Sequence, residues 1–440
     1  MKHKHLTTVL LLLFMTKGVS FSQVESGEMK LSLKEAQEYA LTNNKNAKSA
    51  RFEVEASKYG VWDAISAGLL QVNSNASIND NLIVMTRIID MNGVQTAFKF
   101  GTTYDLSYGL TASSSIFNAP YLVGIQTAKL GQKLARLNVE NVELDTREAV
   151  ITSYYLILIS KESMKILDRN IEDLNEILRS TRSMFSAGMA ESTDVDQMMS
   201  NVSMIKNTKS SMERTLEMNF NMLRFQLGVP PETQITLTDS LEAIVENTDI
   251  TEVLNLGFDV KQNINYKLIA SQEQMSLLSL KMQKASILPT ISGFYNYSKN
   301  GMGDKLNTLS WFPNSIIGLQ ISLPIFATGS RHARIKQAQV NVEKARTGND
   351  QVTEQLLLQE RQLRYNLVNA REQFDLQKAN IDVSKRIYAS TENKYKQGMA
   401  SSLELTQANT LYLQAENNYI AALMNLLQTK LALDKLLNNM

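Results

Sequence analysis

Cysteine is absent from the 440 residues. The chain therefore forms no disulfide, offers no thiolate to a metal and has no cysteine to carry an N-terminal lipid. Histidine is nearly absent too: of three, His3 and His5 lie at the extreme N-terminus, leaving His332 beside Arg331 and Arg334. A single histidine with no acid and nucleophile partner leaves catalysis without support. No HExxH, GxSxG or phosphate-binding glycine loop occurs, so the chain reads as a non-enzyme without cofactor or metal. Neither sign of charge dominates, with 45 Lys and Arg against 44 Asp and Glu, so no basic excess points to nucleic acid. Proline is missing between Pro120 and Pro230 and again after Pro324. Those two stretches are free to hold unusually long helices.

No segment reaches the roughly 18 consecutive apolar residues of a transmembrane helix. Any membrane part must therefore be built from strands. The N-terminus carries a shorter signal. Lys2 and Lys4 precede the apolar Leu10, Leu11, Leu12, Leu13, Phe14 and Met15, and Ser20 and Ser22 are small residues placed for cleavage before Gln23. This predicts a secretory signal peptide over residues 1–22. Its removal takes away Lys2, Lys4 and Lys17, and 42 bases against 44 acids leave a formal charge of −2. An exported chain of this size without disulfides fits a bacterial envelope protein.

What the chain does have is one phrase written twice. FSAGMAESTDVDQ at 185–197 is answered by YKQGMASSLELTQ at 395–407, with Gly188 matching Gly398 at an offset of 398 − 188 = 210. Each copy interrupts a long helical pattern and reads as the turn of a helical hairpin. Leu367, Phe374, Ile381, Tyr388 and Tyr395 recur every seven residues, and the same offset returns Ile157, Met164, Ile171, Leu178 and Phe185. All are apolar, which is a coiled-coil signal. Upstream the offset becomes 219, pairing Asn46 with Asn265, so the strand-joining loop of the first half is the longer one.

The predicted order is the same in each half: a helix, two strands, then a long hairpin. The first repeat spans residues 23–230, with a helix over 31–67, strands over about 69–117 joined by a polar loop, and a hairpin over 123–227 turning at 187–192. A linker follows at 231–250. The second repeat spans 251–440, with a helix over 251–286, strands over about 288–326, and a hairpin over 331–437 turning at 397–402. Each long arm is about 100 Å at 1.5 Å per residue, too long for a compact core.

The strands alternate. Ile317, Leu319, Ile321, Leu323 and Ile325 oppose Gly318, Gln320 and Ser322, while Tyr104, Leu106, Tyr108 and Leu110 oppose Asp105, Ser107, Gly109 and Thr111. This is the pattern of an outer-membrane barrel strand, and equally of a soluble sheet with one wet face. Four strands cannot close a barrel, since the smallest natural ones have about eight. If the strands cross a membrane, several chains must share one barrel, and three chains of four strands would give twelve. Tyr104, Tyr108, Tyr121, Phe294, Tyr295, Tyr297 and Trp311 fit an aromatic girdle.

The two turns resemble those of the TolC-like outer-membrane efflux channels. So do LPTIS at 288–292, ISLPIF at 321–326 and RHARIKQAQVNVEKA from Arg331. The resemblance covers about 31–437. It implies a mainly α fold with a β membrane part: a homotrimer whose 12-stranded outer-membrane β-barrel continues into a long periplasmic α-helical barrel, girdled by shorter segments near 231–250 and the C-terminus. It implies a passive exit duct in the outer membrane, in contact with its lipid, joined through a periplasmic adaptor protein to an inner-membrane transporter of the RND, ABC or MFS type. The alternatives are a type I protein-secretion channel and, from another class, a soluble periplasmic coiled-coil scaffold.

The resemblance also assigns roles. Gly188, Met189, Ala190, Gly398, Met399 and Ala400 become adaptor-binding hairpin tips. Asp194, Gln197, Glu404 and Gln407 become the periplasmic gate. Glu404 retains an acid that some relatives have there, Gln407 lacks the second, and Ala400 stands where those relatives have arginine. Asp194 and Glu404 also fall in the first turn of a helix, where an acid favours the macrodipole and caps free N–H groups. Met184, Met189, Met198, Met199 and Met204 read as adaptable packing rather than a soft-metal site.

Overall fold

The computed structural model describes residues 28–91, 93–246, 250–326 and 328–440; the expected leader lies outside them. In chain order the elements are β1 (Met29–Leu31), α1 (Leu33–Asn43), α2 (Lys45–Ser66), β2 (Gln71–Asp80), β3 (Thr86–Met91), β4 (Val94–Lys99), β5 (Tyr104–Phe117), α3 (Ala119–Ser186), α4 (Ser192–Leu227), β6 (Ile235–Leu237), α5 (Leu241–Glu246), α6 (Ile250–Asn255), α7 (Ile264–Ala285), β7 (Thr290–Gly303), β8 (Ser310–Ser322), α8 (Ser330–Lys396) and α9 (Ser402–Leu437). The long arms α3 and α8 have 68 and 67 residues, and the return arms α4 and α9 have 36 each.

Three boundaries differ from the sequence-based expectation, and each has a local cause. The helix expected over 31–67 breaks at Asn44. This residue leaves helical geometry at φ −55° and ψ 133° and caps α2, its Oδ1 accepting from the N–H of Asn46 at 2.8 Å and of Ala47 at 3.2 Å. Its amide donates to the Gln226 carbonyl at 2.8 Å, near the end of α4. Asn263 does the same in the second half, capping α7 and donating to the Leu436 carbonyl at 3.0 Å. That second break, with a 3-10 turn at Val260–Gln262, divides the helix expected over 251–286 into α6 and α7. The third difference is the polar loop between the first strands. It folds as the β3–β4 hairpin, turning at Gly93, whose φ is +86° and whose N–H donates to Asp90 Oδ1 at 2.8 Å.

One four-stranded antiparallel sheet has the order β2-β5-β7-β8. Pro313 lies within β8, a strand at the edge of this sheet, where a residue without an N–H is tolerated. At the opposite end of the sheet from β3–β4, Asn118 caps α3 by accepting the Tyr121 N–H at 3.1 Å, and Pro120 occupies the first turn. The Tyr121 ring lies against Gly68 and its hydroxyl donates to the Ile65 carbonyl at 2.6 Å. It therefore pins helix α2 to α3 at the sheet–helix junction.

The helices bury two separate clusters. The larger joins Tyr154, Ile157, Leu223, Leu227, Leu367, Phe374, Leu423 and Leu427 with Leu31, Ile235, Leu237 and Ile250. The last four belong to the parallel pair β1–β6 and to α6, so these short segments are packed onto the middle of the long helices. Tyr154 fastens them, its hydroxyl lying 3.1 Å from the Leu31 carbonyl and 3.0 Å from Asp239 Oδ2. The smaller cluster lies toward the turns: Leu167, Leu174, Ile177, Leu178, Met198, Val202, Tyr388, Tyr395 and Leu405. The heptad row is buried at Leu367, Phe374, Tyr388 and Tyr395 and at Ile157 and Leu178, and emerges at Phe185.

Gly228 ends α4 at φ +72°, and a Cβ there would stand 2.6 Å from the Asn43 carbonyl oxygen. Gly188, at φ +74°, has open space around it. Gly188→Ala should cost only the left-handed backbone penalty, about 1–2 kcal/mol. Gly228→Ala should cost clearly more, because backbone must also move. Thermal unfolding followed by circular dichroism ranks the two; equal losses would contradict the close approach.

Candidate functional site

Two surfaces carry chemistry, one on the sheet and one at the hairpin turns. In the sheet, register fixes which side chains share a face. Val72, Ala76 and Ile78 align with Leu106, Tyr108 and Leu110, then with Tyr295 and Tyr297, then with Ile317, Leu319 and Ile321. Ile317 is 83% exposed and Ile78 71%. Trp311 and Tyr108 sit on this face with ring centroids 5.5 Å apart. The opposite face carries Asn73, Asn75, Ser77 and Asn79, then Asp105, Ser107 and Thr111, then Ser292, Asn296 and Ser298, then Asn314 and Gln320. Its groups bond across strands, Ser77 to Ser107 at 2.8 Å and Asn296 Nδ2 to Thr111 Oγ1 at 2.9 Å. Phe294, lying against Gly318, and Phe312, aligned with Asn300 and Ser107, are aromatic exceptions on this face. One side of the sheet is mainly apolar, with Lys299 over the Trp311 ring; the other is mainly polar, interrupted by Phe294, Phe312 and Ile316. The outer strands β2 and β8 each pair on one side only.

The turns are built alike. Gly188 and Gly398 take φ of +74° and +70°. The N–H of Met189 donates to the Met184 carbonyl, and that of Met399 to the Lys394 carbonyl, both at 2.8 Å. These bonds satisfy the last carbonyls of α3 and α8 in the Schellman manner. The side chains of Met189 and Met399 project outward, 76% and 65% exposed. Met198 is buried in the smaller core cluster, so the methionines near the first turn do not converge.

Each return helix starts with an acid folded back on the chain. Glu404 Oε2 accepts from the Ser401 N–H at 2.7 Å and hydroxyl at 3.0 Å. Those two donors, the backbone one first, hold its carboxyl below the ordinary glutamate value. Asp194 Oδ2 accepts from the Glu191 N–H at 3.0 Å, while its Oδ1 receives the Ser402 hydroxyl of the other hairpin. The acids thus differ: Asp194 is half-buried and bonded between hairpins, and Glu404 is exposed. Gln197 is half-buried and Gln407 exposed.

Asp194–Ser402 is one rung of a ladder that sequence reasoning did not anticipate. Asn201 Nδ2 donates to Thr406 Oγ1 at 3.0 Å, and Asn170 Nδ2 to Asn409 Oδ1 at 2.7 Å. The Thr181 and Tyr395 hydroxyls are 2.6 Å apart, and Lys396 lies 3.8 Å from Glu176. The two hairpins are therefore joined by directional polar bonds set into an apolar seam. The available signal was the polar residues Asn170, Thr181 and Asn409, all buried, standing among heptad-spaced apolar ones.

Known proteins share this architecture. The sequence pattern of the family described as outer membrane efflux protein matches residues 37–229 and 271–439. Toxin and drug export protein A of Aggregatibacter actinomycetemcomitans is 23% identical over 396 residues, covering 88% of this chain and 83% of that protein. The proteases secretion protein PrtF of Dickeya chrysanthemi is 22% identical over 332 residues, covering 74% and 70%. Among solved structures, the Campylobacter jejuni CmeC outer membrane channel superposes with a TM-score of 0.71 at 19% identity, covering 92% of this chain and 85% of that one.

Ser401→Ala removes a helix cap and should cost about 1 kcal/mol. Glu404→Gln tests the same cap by pH. A lowered carboxyl pKa contributes stability that is complete above the unfolded-state value and is lost as pH falls through the folded one. The variant should therefore melt below the parent at pH 7, and the gap should close in strong acid. A pH-independent gap would rule out the charged cap.

Proposed function

The chain belongs to the outer membrane efflux protein family, and we propose that it is the outer-membrane exit duct of a tripartite efflux system. One observation carries this reading. The four-stranded sheet has an apolar face, a polar face and two half-paired edges. In hydrocarbon an unpaired strand edge is not tolerated. The edges are satisfied together if β8 of one chain pairs with β2 of the next, and three chains of four strands then close twelve. Apolar residues around Ile317 and Ile78 face lipid, the aromatic residues Tyr108, Tyr295, Tyr297 and Trp311 flank the boundary, and the asparagine and serine face lines the pore. The long hairpins continue the conduit into the periplasm.

The near-equal lengths of α3 and α8, and of α4 and α9, together with the paired roles of Asn44 and Asn263, support descent from a tandem duplication. The tips Gly188-Met189-Ala190 and Gly398-Met399-Ala400 dock a periplasmic adaptor, which links the duct to an inner-membrane pump. Exposed Met189 and Met399 are the apolar contacts such docking needs. The gate is the end of the inter-hairpin ladder. Asp194, Gln197, Glu404 and Gln407 ring it, weakly charged, and adaptor contacts that favour separated hairpins open it. The duct supplies no energy. The likeness to a protein named for protease secretion supports a secretion variant of the same conduit.

A cysteine on Gln71–Asp80 combined with one on Ser310–Ser322 should cross-link chains into a heat-modifiable trimer in the outer-membrane fraction. Release of the protein by osmotic shock without detergent would sink the reading. In planar bilayers, the double variant Asp194→Ala, Ser402→Ala should conduct more than the parent, because the terminal rung is gone. An unchanged conductance would remove these residues from the gate.

A further inference from the structure

Glu416 of α9 is a buried carboxylate satisfied on one side only, by Tyr412. It is 5% exposed, and its Oε2 has no hydrogen-bond partner. It stands where two adjoining chambers meet in the groove between the hairpins, beneath α5. The upper chamber, about 360 Å³, is walled by Val245, Phe374, Ile381, Tyr419, Ile420 and Leu423. The lower, about 230 Å³, is walled by Asn170, Asp173, Tyr388, Glu392 and Tyr412. Ile166, Arg169 and Glu416 line both.

The surroundings select a cation. The upper chamber carries Glu162, Glu242, Glu246 and Glu416 against Arg169 and Lys378, and the lower Asp173, Glu392 and Glu416 against Arg169 and Lys385. Acids exceed bases in each. Burial pushes the Glu416 carboxyl up, outweighing the Tyr412 hydrogen bond and the charges of Arg169 and Lys385, which pull it down. The Tyr388 hydroxyl, also buried, is a second polar atom without a partner in the lower chamber. Among the described residues no three acids, histidines or cysteines converge to hold a metal ion. Aromatic pairs line the space instead. Phe374 and Tyr419 have centroids 5.5 Å apart, and Tyr388 and Tyr412 stack at 5.7 Å. Aromatic faces with one buried carboxylate suit an ammonium carried on an apolar body.

We propose that this groove is a binding site for small organic ammonium compounds, the charged head paired with Glu416 and the apolar body against Phe374, Ile381 and Ile420. The inference concerns the groove between the two hairpins of one chain and does not rest on the channel reading.

The test uses the full-length protein in detergent, with phenethylammonium as probe and uncharged 2-phenylethanol as its neutral isostere, read by calorimetry at pH 7. The ammonium should bind about tenfold more tightly than the alcohol, the difference a charge-assisted bond supplies. Glu416→Gln should abolish that preference and leave alcohol binding unchanged. Lowering the pH through the raised carboxyl value should do the same, since a proton then occupies the carboxylate. Tyr388→Phe provides a second variant should Glu416→Gln misfold, and should weaken the ammonium selectively. Equal affinities, no binding of either probe, or a preference that survives Glu416→Gln each overturn the proposal. So does binding that appears only in Arg169→Ala, which would mean that Arg169 neutralises Glu416 in solution.

Discussion

A strand edge has backbone N–H and C=O groups that must find partners, and this constraint organises the whole molecule. Along β2 and β8 those groups are satisfied on one side only. A soluble protein blunts such edges with charge, but β8 presents Ile317, Leu319 and Ile321 beside its edge. An apolar face and half-paired edges are compatible with a stable protein only where hydrocarbon covers the face and another strand covers each edge. The proposed three-fold closure meets both requirements with one geometry.

The helical part solves a different problem. Rods of 68 and 67 residues cannot surround a compact core, so stability is distributed along them in two clusters. The larger is reinforced by the small parallel pair β1–β6 and clamped by Tyr154. The smaller approaches the turns and thins out there, Phe185 being exposed although it continues the heptad row. Over that last stretch the hairpins are joined by the polar ladder from Asn170–Asn409 to Asp194–Ser402. Apolar contacts are tolerant of sliding, whereas hydrogen bonds have fixed partners and break in discrete steps. Under the proposed reading, in which the conduit opens at this end, such bonds give it a defined closed state at modest cost in stability. Glu416 lies next to the ladder, about two turns of helix beyond Asn409, and it is the acid the ladder does not use.

The differences between sequence and structure trace to particular residues. Asn44 and Asn263 look like ordinary polar positions within helical patterns. They break the helices because each side chain caps the next helix and also reaches a carbonyl 182 or 173 residues away, a partner no local pattern reveals. The β3–β4 hairpin was hidden because its strands are six residues each, too short for alternation to stand out. The acids at 194 and 404 occupied equivalent positions in the repeated phrase, yet only Asp194 meets the other hairpin.

By itself the sequence determined the succession of helix, strand pair and long hairpin in each half, the two turns and the alternation of the strands, while the class of protein came from the resemblance of its repeated turns. The first three rest on local periodicity and on glycine's access to positive φ, which act within a few residues. The tertiary structure alone decided which sheet face gathers the apolar side chains of all four strands, how the hairpins are bonded to each other, and that Glu416 is buried with one oxygen unpaired. Those depend on strand register and helix rotation. A shift of one residue or a fraction of a turn would exchange the partners without changing a letter of the sequence.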